Sequence, residues 1–166
     1  MTAVSPCAAP HYLLPNCTLG LLQGEEEASL LGILLAGMEP WRTLGYSAAA
    51  LQRYLLRPDA TLYRHAVVIQ GEISGVVCVR YPWLRGAYLE LIGLTAAQQG
   101  LGIGRELLSW LEGEARRETH NVWVLVSAFN TRARTFYARQ GYTEIGVIED
   151  FVQPGYNEVL LRKVVR

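Results

Sequence analysis

Cysteine is scarce in this chain: Cys7, Cys17 and Cys78 are the only three in 166 residues. Their odd number and lack of metal-type spacing give no zinc-like ligand set and point to a reducing compartment. Cys78 lies in the apolar run Val76–Val79 and reads as a small core residue. An excess of either charge is also missing, because fifteen basic residues balance fifteen acidic ones, which argues against a nucleic-acid partner. Long hydrophobic runs are absent too. The most apolar early segment, Ala28 to Met38, is only about half a bilayer span and follows three glutamates, so no membrane partner is expected. No basic stretch followed by an apolar segment opens the chain, so a soluble, cytoplasmic protein without a secretory signal is expected. Repeats, low-complexity tracts and linkers are lacking as well. What is present is a hydrophobic fraction of 51% against 18% charged, enough for one folded domain over residues 1–166.

Residues 1–16 carry three prolines and read as an irregular arm. Thr18 to Leu22 suits a short strand. Glu25 to Met38 suits a helix with acidic residues at its positive end, stopped by Pro40. Ser47 is the N-cap for a second helix to about Leu56. Leu62–Ile69 and Ile73–Tyr81 are β-rich runs joined at Gln70-Gly71-Glu72, a hairpin signal. Tyr88–Leu94 is a third such run. Gly102 to Thr119 carries Ile103, Leu107, Leu108, Leu111 and Ala115 on one stripe, with Arg105, Glu106, Ser109, Glu112 and Arg116 opposite. Val122–Val126 has the continuous apolar character of a buried parallel strand. A helix over Thr131–Gln140 closed by Gly141, then strands over Thr143–Ile148 and Glu158–Val165, complete the order β-α-α-β-β-β-α-β-α-β-β.

The chemistry gathers where the strand ending Ile92-Gly93-Leu94 runs through Gln99-Gly100-Leu101-Gly102-Ile103-Gly104-Arg105 into a helix. Glycines let a backbone approach a ligand, and free N–H groups at a helix start bind phosphate oxygens. A dinucleotide fingerprint would need glycine where Arg105 stands, and a Walker loop would need Gly-Lys-Ser/Thr. A plain strand-to-helix turn stays open. Gln99-x-x-Gly102-x-Gly104 is the third reading.

That third pattern resembles the Q/R-x-x-G-x-G/A signature of the GNAT (Gcn-related N-acetyltransferase) superfamily. Asn130-Thr131-Arg132-Ala133-Arg134-Thr135-Phe136-Tyr137-Ala138-Arg139-Gln140-Gly141-Tyr142 is similar to that family's N-x-x-A-x-x-F-Y-x-x-x-G-F/Y element. The closing run Asp150 to Lys163 resembles its terminal hairpin. The likeness covers about residues 60–166; the first 55 match only in the order of their elements.

The resemblance implies an α/β fold with a mixed, mostly antiparallel sheet flanked by helices. The strands near 88–94 and 122–126 would be parallel neighbours that splay apart to admit acetyl-CoA. It implies a transferase that moves an acetyl group to a primary amine of a small molecule or a protein, with no metal; a silent acyl-CoA-binding sensor is the alternative. A homodimer is compatible with it. The loop Gln99–Arg105 would cradle the pyrophosphate, Ile92, Gly93 and Leu94 would pair with pantetheine, and Asn130 would reach the pantetheine arm or cap its helix. Phe136 falls within the same cofactor element. Tyr137 matches the general acid that protonates the departing thiolate. A glutamate that some relatives carry is replaced here by Leu125. Glu90 is then the leading base, a carboxylate in an otherwise apolar strand expected on the same face as Leu94 and, if half-buried, raised in pKa. Gly93 suggests a bulge. Trp41, Leu44, Tyr46 and a loop Asp150–Tyr156 would line the acceptor pocket, which suits a cationic amine.

Overall fold

A computed structural model describes residues 4–166; Met1 to Ala3 of the expected arm lie outside the described residues. The centre of the sheet is a hairpin. Gln70 and Gly71 both take positive φ (53° and 82°), which suits a two-residue turn between twisted strands. The turn joins β3 (Leu62–Ile69) to β4 (Glu72–Trp83) with Ile69 opposite Glu72. β4 is apolar on both faces because both are covered. Val76 and Cys78 point to one helical layer, Val77 and Val79 to the other.

The first layer is α1 (Gly24–Ala36) and α2 (Ala48–Leu56). Leu31, Leu35, Leu51 and Leu55 pack there against Leu62, Val76, Cys78 and Leu91. Gly32 lets the two helices touch, since a Cβ on it would lie 2.6 Å from the Ala48 carbonyl oxygen. The opposite layer contains α3 (Ile103–Arg116). Its expected stripe, Ile103, Leu107, Leu108, Leu111 and Ala115, is wholly buried, and each leucine contributes about 1.5–3 kcal/mol.

The remaining strands are β1 (His11–Leu13), β2 (Thr18–Leu21), β5 (Gly86–Leu94), β6 (Asn121–Ser127), β7 (Thr143–Gln153) and β8 (Tyr156–Val164). The eight strands run in the order β1-β2-β3-β4-β5-β6-β8-β7. Every neighbouring pair is antiparallel except β5 with β6. The α/β fold with a mixed, mostly antiparallel sheet is the one expected. Among the described residues, no helix is long and apolar enough to cross a membrane.

Two expectations need correction. The arm is not irregular throughout: His11–Leu13 pairs with Thr18–Gly20, and the Cys7 side chain is fully buried. It is fastened to α3 by two glutamates. Glu114 Oε2 accepts from the Cys7 N–H at 2.8 Å and the Tyr12 hydroxyl at 3.0 Å, and Glu106 accepts from both the backbone and side-chain amides of Asn16. Amphipathic spacing put Glu106 on the solvent face, but a neighbouring segment covers it. Asp150 to Tyr156 is likewise not a loop, because β7 runs to Gln153 and β8 starts at Tyr156.

Candidate active site

β5 and β6 pair only at Ala87–Val122, Tyr88–Trp123 and Leu89–Val124. Beyond that, β5 stays with β4 as far as Leu94, while β6 stays with β8 as far as Ser127. The strands therefore splay as expected, and their inner edges line a cleft. The bulge sits at Glu90, not at Gly93. Cys78 pairs with Leu91 and Val79 with Leu89, so Glu90 is the extra residue. One extra residue flips the alternation of a strand. Leu89 thus joins the α3-side core and Leu91 the α1/α2-side core. Glu90 bonds to α2, whereas Ile92 and Leu94 pack on the α3 side, so Glu90 and Leu94 do not share a face. Gly93 has a different purpose. A Cβ there would meet Leu35 Cδ2 at 2.5 Å and Met38 Sδ at 3.3 Å, so its absence lets α1 lie against the strand.

At the end of β5 the Gln99 side-chain amide donates to the Leu94 carbonyl at 3.1 Å and ties the glycine-rich loop back. Gly100 and Gly102 take φ of 77° and 86°, a region where glycine is unstrained. Gly102 is the N-cap of α3 and no side chain caps that end. The first N–H groups of the helix are thus free, at the positive end of its dipole, with Leu101 and Arg105 exposed beside them. This is a fitting seat for a phosphate. Ile103 is core, and Gly104 with Phe136 forms a packing pair: a Cβ on Gly104 would lie 3.2 Å from Phe136 Cζ. Phe136 therefore sets the height of the first turn of α3.

Asn130 Oδ1 accepts from the Ala133 N–H at 3.2 Å and caps α4 (Thr131–Arg139) while also lining the cleft. α4 turns Tyr137 inward, where it is 5% exposed and meets Phe136 and Tyr142 edge-on at 5.2 and 5.7 Å. Burial pushes the Tyr137 phenol up, so it keeps its proton at neutral pH.

The cleft encloses about 340 Å³. Trp41, Tyr46, Tyr54, Tyr88 and Phe151 form its aromatic wall; Glu39, Glu90 and Glu158 supply carboxylates; among the described residues, no cationic side chain lines it. Trp41, Leu44 and Tyr46 are where the sequence put them, and Phe151 and Val152 reach in from β7. Glu90 is held on both oxygens. Arg80 Nε donates to Oε2 at 2.6 Å, its second nitrogen to Oε1 at 3.2 Å, and the Tyr54 hydroxyl to Oε1 at 3.0 Å. Arg80 also binds Asp59 at 2.8 Å, so Glu90 belongs to a network that pins α2 to the bulge.

Glu158 was not anticipated. It is 6% exposed, on β8 directly opposite Ser127, whose hydroxyl donates to its Oε1 at 2.6 Å. Burial raises its pKa, with the Ser127 hydrogen bond acting the other way. Alternation in the closing strand was the available signal, since Val159 and Leu161 face the core and Glu158 faces the cleft side.

The family model of the acetyltransferase (GNAT) family matches residues 24–142. The blasticidin-S acetyltransferase of Streptomyces morookaense is 31% identical over 109 residues, 64% of this chain and 77% of that protein. An acetyltransferase of the GNAT family from Desulfovibrio desulfuricans superposes with a TM-score of 0.73 at 17% identity, covering 90% of this chain and 99% of that one. An aminoglycoside 6′-N-acetyltransferase solved with coenzyme A superposes at 0.69 and 15% identity, covering 89% and 97%. With the family model spanning most of its length, this chain belongs to the GNAT family of acetyltransferases.

Proposed function

We propose that the protein transfers the acetyl group of acetyl-CoA to a primary amine of a small, cationic molecule held in the splayed cleft. The observation that carries this reading is the lining of the cleft: aromatic side chains and the buried carboxylate of Glu158, which enters no ion pair among the described residues, adjoining a buried Tyr137. Carboxylates and aromatic faces attract ammonium groups, and an enclosed site strengthens both attractions. The named substrates of the blasticidin-S and aminoglycoside enzymes support a small-molecule acceptor.

The free N–H groups at the start of α3 would hold the pyrophosphate, and the inner edge of β5 from Ile92 to Leu94 would align pantetheine. Acetyl-CoA supplies a thioester carbonyl and a thiolate leaving group. Tyr137, kept neutral by burial, donates to the sulfur as negative charge develops there. Glu90, saturated by Arg80 and Tyr54, fixes the wall rather than moving a proton.

Thiol release measured over a panel of aminoglycosides, nucleoside amines, polyamines and N-terminal peptides tests the reading. Turnover of a small polyamine or aminoglycoside is expected; turnover of peptides alone would assign the cleft to a protein amino group.

A further inference from the structure

Four polar residues are buried among the described residues: His65, Ser74, Ser127 and Glu158. Two of them bond to each other inside the cleft. Every other carboxylate there is taken. Glu90 is filled by Arg80 and Tyr54, and Glu39 by Arg42 and the Thr43 N–H. Glu158 enters none of the ion pairs among the described residues, and no protein donor there reaches its Oε2. A buried carboxylate with no cationic partner destabilises a fold, so its presence in a cleft calls for a chemical use.

We infer that Glu158 is the catalytic base, taking a proton from the incoming ammonium on Oε2 while Ser127 holds Oε1 in place. This deepens the cationic-amine reading and rests on it. The ammonium gives one proton to Glu158 and becomes a neutral amine with a free electron pair. That pair forms the new C–N bond at the thioester carbonyl as the C–S pair departs on sulfur. The second nitrogen proton replaces the one Tyr137 gives to the thiolate, and Glu158 returns its own to solvent. Burial favours this assignment, because it lifts the proton affinity of the carboxylate toward that of an amine.

The titratable groups sharing the cleft are Glu39 and Tyr46 between α1 and α2, Tyr54 on α2, Tyr88 and Glu90 on β5, and Tyr137 on α4; β7 contributes Phe151 and Val152. Burial and the adjacent carboxylates push the Tyr88 phenol up, and burial does the same for Tyr54 and Tyr137. These phenols therefore stay neutral across the range in which the base titrates.

The test uses the full chain, acetyl-CoA and the amine that the wild type turns over best. Glu158→Gln keeps an acceptor for Ser127 and should lower kcat/KM about a hundredfold at neutral pH. The loss should shrink as pH approaches the pKa of the amine, and thermal stability should be retained. Ser127→Ala removes a hydrogen bond that favours the carboxylate, so the acid limb of its pH–rate profile should move to higher pH. A Glu158→Gln to wild-type ratio flat across pH, or a Ser127→Ala profile that does not move, would overturn the proposal while leaving the acetyltransferase reading intact. Wild-type protein that transfers to no amine would overturn both.

Discussion

The two sides of the splayed sheet are built by different means. Facing α3, the site is backbone: a β5 edge released from its neighbour, two glycines at positive φ, and a helix start with no side-chain cap. Facing α1 and α2, it is side chain: Trp41 and Tyr46 from a turn, Tyr54 from α2, Glu90 from a bulge, Phe151 from β7 and Glu158 from β8. Backbone groups suit a partner of constant shape, a pyrophosphate with its pantetheine arm, because every sequence carries them. Side chains suit a partner that differs between relatives. The Glu90 bulge lets one strand serve both, since it sets Glu90 and Leu91 together on the α1/α2 side and leaves Leu89 and Ile92 on the α3 side.

The largest expected effect tests whether the two sides meet at Tyr137. Tyr137→Phe should lower kcat by about 10²-fold or more, the usual worth of a general acid. The KM for acetyl-CoA should not change, because the ring that packs on Phe136 and Tyr142 remains. Steady-state kinetics with both substrates decide it, and an unchanged kcat would remove Tyr137 from the chemistry.

A pair of glycine substitutions should separate the sides. At a hundredfold excess over Kd, acetyl-CoA should protect the wild type by about 2.7 kcal/mol, or roughly 5–10 °C in Tm for a chain of this size. Gly102→Val should abolish that shift, because a β-branched residue at φ of 86° distorts the loop. Gly93→Ala should keep the shift yet raise the KM for the amine, because its Cβ pushes on Leu35 and Met38 of the α1 side. Loss of the acetyl-CoA shift in Gly93→Ala would erase the distinction.

Glu90→Gln comes next. It weakens a charge-assisted network without removing the base, so a three- to tenfold rise in amine KM is expected, roughly one such hydrogen bond. The ratio of mutant to wild-type rates should be flat between about pH 6.5 and 9.5. A ratio that converges on one at high pH would return proton transfer to Glu90.

The smallest effect is on stability, and it has opposite signs in two places. His65 is fully buried on β3 beside Tyr12 and Trp110, and desolvation lowers its pKa below the ordinary 6.5. Its contribution is present above 6.5 and is lost as pH falls through its folded value. Burial raises Glu158 above its ordinary 4.5. Its contribution is therefore present below 4.5 and is lost as pH rises through its folded value. Melting curves from about pH 4.5 to 8 should show His65→Gln gaining on the wild type toward acid and Glu158→Gln gaining toward neutral pH.

The sequence by itself determined the elements and the glycine-rich loop at the start of α3. Helical spacing identified the buried stripe of α3, Gln70-Gly71 the central hairpin, and Gln99 to Gly104 the loop at the helix start; these are short-range matters of periodicity and permitted φ. Asn130 was legible as a cap for the same reason. Only the tertiary structure decided which glutamates meet water. Glu106 and Glu114 are covered by residues 7–16, which lie about ninety to a hundred positions away in the chain. It also decided the direction of Glu90, because a bulge leaves no local signature and one residue of slip reverses a strand face. Alternation in β8 could give the face of Glu158, but its burial and its partner were decided only when β8 paired with β6 and set it opposite Ser127 inside the cleft: the burial and partners of a charge are properties of the assembled layers, not of its neighbours in sequence.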